Sequence, residues 1–288
     1  MNPNYQEITN KFVEGIEEAV ASGKQLPWRG LCPSAPKNGA SKRPYHGINV
    51  FLLWLKAQNK GYTKSTWFTF KQAQSLKGCV RKGEKGTMIF FWSFIEKKVE
   101  DKITKIPMLR TFFVFNHAQI EWGQNDPETA ADLTEQTGNA QGAINALLAL
   151  NPKMEVGSPA YSPLKDVVYM PSSVTDEDLY AATFAHEMIH WTGHKSRCNR
   201  PQEGGFGSEK YAFEELVAEL GAAFFCSEYG IQNNAMDQNH MAYLQSWLKN
   251  LKSDPYALFR AARLATDAMN VLTGKAQAEA EEEAAEAA

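Results

Sequence analysis

Cysteine is scarce in this chain of 288 residues, with Cys32, Cys79, Cys198 and Cys226 far apart and no C-x-x-C pair among them. That excludes a disulfide framework and a cysteine-built zinc knuckle, and fits a reducing compartment. No run of eighteen apolar residues occurs and residues 1–10 are polar, so neither a membrane span nor a secretory signal is expected. A P-loop is missing as well, which removes nucleotide-driven helicases from the candidate functions. What remains is a cytoplasmic protein, long enough for one large or two ordinary domains.

Net charge is only -3, but the two halves differ in sign. Residues 1–130 hold 19 Lys and Arg against 11 Asp and Glu, a net +8, and the remainder holds 11 against 22, a net -11. The stretch from Lys24 to Arg110 alone carries 18 basic and 4 acidic residues. Opposite signs indicate two domains with different partners. In the basic half, aromatic residues are interleaved with cations, which is what single-stranded nucleic acid requires: bases stack on rings while Lys and Arg neutralise phosphates. The candidate DNA contacts are Trp28, Lys37, Lys42, Arg43, Tyr45, Asn49, Trp67, Lys71, Gln72, Arg81, Lys82 and Lys85, with Trp92 a further stacker. Phe51, Trp54, Phe90 and Phe112 have the spacing of core residues instead.

The acidic half contains A-T-F-A-H-E-M-I-H-W-T-G-H, from Ala182 to His194. On a helix, His186 and His190 project from one face, where two imidazoles can hold one metal ion, and Glu187 lies beside it as a general base for an attacking water. H-E-x-x-H also arises by chance in long helices, so its context matters. Thr175 or Asp176 caps a predicted helix with acids in its first turn, and Gly193 ends it. Phe184, Ala185, Met188, Ile189 and Trp191 surround the polar triplet, and polar groups among core residues need a reason that a metal supplies. A metzincin would need a third histidine at position 196, where Ser196 stands. The run from Tyr211 to Leu220 is a strong helix former in which Glu215 and Glu219 share a face and Glu214 points about 100° away. Glu215 is therefore assigned to the metal, and Glu219 to the outer partner of a ligand histidine.

Along the chain, residues 6–21 show helical spacing, followed by an irregular proline-bearing stretch to Pro44 and a helix from Val50 to Gln58. Strands are predicted at Thr87–Phe94 and Leu109–Phe115, joined by a charged hairpin near Glu100-Asp101-Lys102. Asp166–Met170 reads as a strand at the edge of the cleft, able to pair with an extended peptide. Residues 195–210, with Arg197, Arg200 and three glycines, read as a mobile loop. Helices are expected at Ala140–Leu150, His240–Leu251 and Tyr256–Leu272.

The runs P-W (Pro27, Trp28), Y-H-G-I-N (Tyr45–Asn49), T-W-F-T-F-K-Q-A (Thr66–Ala73), V-R-K-G-E-K-G (Val80–Gly86) and F-V-F-N-H-A-Q (Phe113–Gln119) resemble the N-terminal domain of ArdC-type antirestriction proteins, a domain that also occurs in plasmid conjugation primases. D-V-V-Y-M-P (Asp166–Pro171), H-E-M-I-H-W-T-G-H (His186–His194) and Y-A-F-E-E-L-V-A-E-L (Tyr211–Leu220) resemble the zincin-like metallopeptidase domain of the same family. The resemblance covers residues 6 to 272 and implies a plasmid- or phage-encoded protein that binds single-stranded DNA and protects incoming DNA from host restriction. It also implies Zn2+ on His186, His190 and Glu215, with Glu187 as general base.

The expected architecture is α+β in two domains. Residues 1–125 form a basic, single-stranded-DNA-binding α+β domain, 126–138 a linker, 139–274 a mainly helical, zincin-like metallopeptidase domain, and 275–288 a frayed or disordered acidic tail. Expected partners are single-stranded DNA and an unidentified protein substrate such as a host restriction component. The rival expectations are a strand-coating protein with a structural or vestigial zinc site, and an accessory to conjugative priming.

Overall fold

A computed structural model describes residues 5–22, 35–99, 102–127, 138–202, 208–231 and 238–274. Residues 128–137 of the expected linker and the whole of the expected tail lie outside these residues, as do Trp28 and Cys32. Helix α1 (Tyr5–Ser22) buries Ile8, Phe12, Val13 and Ile16, the apolar stripe of its sequence. α2 (Ile48–Lys60) buries Val50, Phe51, Leu53, Trp54 and Ala57. Strands β1 (Lys37–Asn38), β2 (Thr66–Thr69), β4 (Thr87–Val99) and β5 (Lys102–Asn116) form one sheet in the order β1-β2-β5-β4. β4 and β5 are a long antiparallel hairpin in register from Thr87 opposite Val114 to Val99 opposite Lys102, extending further than the alternation in the sequence suggests. The short helix α3 (Phe70–Ser75) follows β2 through a capping box between Thr69 and Gln72. β3 (Cys79–Val80) pairs with β6 (Ile120–Glu121) beside it.

The second half starts with α4 (Ala140–Ala149) and a three-stranded sheet of β7 (Met154–Val156), β8 (Ala160–Ser162) and β9 (Val167–Met170). Here the structure corrects the sequence reading. β9 is central, parallel to β7 and antiparallel to β8, so both its edges are already hydrogen-bonded and it offers none to a peptide. Its burial on both sides explains the continuous apolar run V-V-Y-M.

α5 (Glu177–Thr192) begins at Asp176, whose carboxylate accepts from the Leu179 amide at 3.0 Å, and ends at Gly193. α6 (Glu209–Glu228) begins at Ser208 and is buried almost all round, Glu214, Glu215 and Glu219 included. α7 (Gln238–Ser253) and α8 (Ala257–Thr273) complete the bundle, α8 through Ala257, Ala261, Ala262, Ala265 and Ala268. α5 and α6 approach closely at Gly221, where an added Cβ would lie 2.7 Å from Ile189 Cδ1.

The two halves share one apolar core. Tyr5 of α1 stacks at 4.7 Å on Tyr256 and edge-on at 4.8 Å against Phe259, and Thr9 donates to the Pro255 carbonyl. Trp54 of α2 lies 6.2 Å from Phe224 of α6, and Phe90 meets Phe259 at 5.7 Å. The first helix therefore packs with the last ones, an arrangement that local periodicity cannot reveal.

Candidate metal centre

The i, i+4 spacing on α5 brings His186 and His190 together, their Nε2 atoms 3.2 Å apart. Glu215 of α6 faces both, with Oε2 3.4 Å from His186 Nε2 and Oε1 3.4 Å from His190 Nε2. One ligand atom from each of the three residues lies within 4.8 Å of the others. In a tetrahedral site with bonds of about 2.0–2.1 Å, ligand atoms stand roughly 3.3 Å apart, and two imidazoles with a carboxylate form a donor set suited to zinc. With the two Glu215 oxygens each turned to one histidine, the contacts of 3.2–3.4 Å leave room for such an ion, and no fourth protein ligand joins the group among the described residues.

Behind the histidines, Glu219 Oε2 is 4.0 Å from His186 Nδ1. Glu214, which helical angle alone directs elsewhere, has Oε1 3.4 Å from His190 Nδ1. Arg200 holds that carboxylate, with Nη2 2.7 Å from Oε1 and Nε 3.1 Å from Oε2, while also donating to Thr192 Oγ1 and the Ile189 carbonyl. The pair is buried on both sides, and its bidentate geometry compensates the desolvation. Burial works against a charged His190, but hydrogen bonds and charges from Glu214 and Glu215 outweigh it and push its pKa up to about 10. Burial likewise opposes ionisation of Glu214 and Glu215, yet both are held below the ordinary carboxylate value, Glu215 by the two histidines and Glu214 by His190 and Arg200. Glu187 is 9% exposed and makes no hydrogen bond or ion pair among the described residues.

The segment after α5, expected to be a mobile loop, is instead tied down as far as residue 202. Arg200 is buried, Gln202 donates to the His190 carbonyl, and Arg197 stacks 3.8 Å over Trp191 and pairs with Asp166. Fixed cations over buried acceptors leave this stretch little freedom. Residues 203–207 lie outside the description.

Two family models match the chain, one described as a zincin-like metallopeptidase over residues 128–264, the other as the N-terminal domain of anti-restriction factor ArdC over residues 2–115. An uncharacterized protein of Sinorhizobium fredii, y4eC, is 32% identical, the alignment covering 90% of this chain and 87% of that one. The crystal structure of antirestriction ArdC from plasmid R388 in its metal-free form superposes with a TM-score of 0.74 at 33% identity, covering 97% of this chain and 98% of that one. The chain belongs to the ArdC antirestriction family. The Mn(II)-bound ArdC structure from R388 matches as well, with a TM-score of 0.75 at 34% identity and coverage of 94% and 97%. A DNA primase TraC of Escherichia coli is 33% identical, but this chain spans only 26% of its length.

Within the ArdC N-terminal domain, the sequence-selected DNA contacts separate into core and surface. Trp67 is fully buried, its ring 6.1 Å from Tyr62. Tyr45 is buried with its hydroxyl 3.3 Å from Asn38 Nδ2. Asn49 is buried too, its amide donating to the Phe90 carbonyl at 2.7 Å and accepting from the Phe90 amide at 2.8 Å, so it takes the place of a neighbouring strand. None of these three is open to a strand in solution. Gln72 is occupied by the α3 capping box and by Asn38. Lys42, Lys71, Arg81, Lys82 and Lys85 are exposed, Lys37 and Arg43 half-buried, and Arg81 donates to the Ala118 carbonyl. No helix among the described residues is long and apolar enough to cross a membrane.

Proposed function

We propose that this ArdC-family protein is a cytoplasmic antirestriction factor that binds single-stranded DNA through its basic half and carries a zinc metallopeptidase site in its other half. The observation that carries the peptidase reading is the three-ligand triangle with a nearly buried, unpartnered Glu187 on the same helix. His186, His190 and Glu215 would hold Zn2+, and a structural site would normally be closed by a fourth protein ligand, so the open vertex favours a catalytic one. When bound, the ion would polarise a substrate carbonyl and acidify a water. Glu187 takes the proton of the attacking water and returns it to the leaving amine, a role suited to a carboxylate with no competing hydrogen bond. Glu214 orients the His190 imidazole through its Nδ1, Glu219 adds negative charge 4.0 Å from His186 Nδ1, and Arg200 keeps Glu214 ionised and in place. A host restriction component is the substrate class that would link this chemistry to antirestriction.

Strand binding is supported by the exposed cations at Lys42, Lys71, Arg81, Lys82 and Lys85. The test is a restriction-protection assay in cells, comparing the wild type with Glu187→Ala and with the triple variant Arg81→Ala, Lys82→Ala, Lys85→Ala, folding and zinc content being verified. Loss with Glu187→Ala makes the peptidase the effector. Protection retained by Glu187→Ala and lost only in the basic variant assigns the effect to strand binding and overturns the proteolytic reading.

A further inference from the structure

Among the described residues the aromatic side chains most open to solvent are Phe70, Phe113 and Tyr256, of which Tyr256 stacks on Tyr5. Phe70 and Phe113 are 50% and 55% exposed, although both belong to regular elements of the N-terminal half. Phe70 opens α3, where the Thr69–Gln72 capping box fixes the direction of the helix. Phe113 lies on β5, and Phe115, two residues further on, points to the same face of the strand. The Phe115 ring is half-buried and stands 6.4 Å from that of Phe70, edge to face.

Gly86 lies directly against these rings: a Cβ there would come 3.0 Å from Phe113 Cβ and 3.2 Å from Phe115 Cζ. Glycine at 86 therefore lets the basic turn run close to the phenylalanines without a side chain crowding them. The turn that ends at Gly86 carries Arg81, Lys82 and Lys85, all exposed. Lys71 adjoins Phe70 in the chain and is exposed. Glu84, the acid in the turn, is engaged by Gln119 Nε2 at 2.8 Å and by Arg81 at 4.0 Å, which lowers its opposition to an incoming anion.

Open rings rimmed by cations fit a polyanion whose flat apolar groups are unpaired, which is the chemistry of single-stranded DNA. A duplex keeps its bases stacked on one another, and an apolar protein surface would have no use for the basic rim. We infer that Phe70, Phe113 and Phe115 form a base-stacking platform for single-stranded DNA, with Lys71, Lys82 and Lys85 set for the flanking phosphates. This rests on the strand-binding half of the proposed function and adds the place where the bases lie.

The test uses the full chain and fluorescence anisotropy with two labelled strands of equal length, an oligodeoxythymidylate and an abasic strand that retains the phosphates. The double variant Phe70→Ala, Phe113→Ala is expected to lose about tenfold or more in affinity for the thymidylate strand. It should keep its affinity for the abasic strand and an unchanged salt slope. Lys82→Ala with Lys85→Ala should weaken both strands alike and flatten that slope. In Phe113→Trp, thymidylate should quench the added indole emission while the abasic strand leaves it unchanged, a readout that survives even if the alanine variant unfolds. Wild-type affinity for thymidylate in a folded double alanine variant, or absence of quenching in Phe113→Trp, overturns the platform and leaves strand binding standing. A wild type that binds neither strand removes the strand-binding reading itself. If the wild type sediments as a dimer, and Phe113→Ala as a monomer with unchanged affinity, the rings pack against a second copy and the platform falls.

Discussion

Gly221→Ala tests whether the α5–α6 spacing sets the metal site. His186 and His190 stand on α5, Glu215 and Glu219 on α6, and the two helices touch where Gly221 meets Ile189, the residue before His190. An alanine methyl would lie 2.7 Å from Ile189 Cδ1, 2.9 Å from Cγ1 and 3.2 Å from Cγ2. Ile189 is fully buried, so its side chain has no empty space to swing into, and the helices must part or shift. Overpacking of this kind costs about 1–3 kcal/mol, and the better helix propensity of alanine offsets about 1 kcal/mol. The net effect on stability is small, about 0–2 kcal/mol. Metal geometry is less forgiving, because a displacement of roughly 0.5 Å spoils a constructed site. Thermal unfolding of the metal-free protein should therefore fall only slightly, while a chelator-competition titration should show zinc affinity reduced about tenfold, or roughly 1.4 kcal/mol. Adding Ile189→Ala removes all three contacting atoms and should restore zinc affinity while lowering stability by up to about 2–5 kcal/mol. A Gly221→Ala protein that is more stable than the wild type and binds zinc as tightly would refute the argument.

Other outcomes follow from the same geometry. Arg200→Ala leaves Glu214 buried beside His190 without its cation and should cost roughly 3–5 kcal/mol in urea denaturation, whereas Glu214→Gln in the same background should recover part of the loss. In the metal-free protein the folded pKa of His190, about 10, lies above its ordinary value of 6.5. Its contribution to stability is thus fully present below about pH 6.5 and is lost as pH rises through about 10, so the thermal midpoint of the metal-free protein should fall over that window. A metal must displace that proton, so apparent zinc affinity should rise by up to about tenfold per pH unit from neutral upward, and a pH-independent affinity would contradict the assigned ligand. Glu187→Gln should keep zinc content and fold while lowering peptide hydrolysis by about a hundredfold or more once a substrate is found.

The sequence carried the helix that brings His186 and His190 together because it rests on local rules: i, i+4 spacing on α5, an acidic first turn with Asp176 as cap, and an apolar surround. It misplaced what depends on the approach of distant segments. Glu214 was set aside on helical angle, yet a ligand imidazole has two nitrogens pointing in different directions, so neighbouring glutamates about 100° apart can reach the Nε2 side and the Nδ1 side of one ring. The signal was present in the pair Glu214-Glu215 preceded at a distance by Arg197 and Arg200, but which arginine answers which acid is decided by the path from 192 to 202. The same limit governs the basic half. Trp67 and Tyr45 look like stackers by composition, while Phe70 and Phe113 carry no signal that singles them out. The fold buries the first pair and exposes the second, because β2 is covered on the face that carries Trp67 and the end of β5 is left open where Gly86 brings in a turn without a side chain. Composition specifies how many rings a domain has, and only the closing of the sheet decides which of them a DNA base can reach.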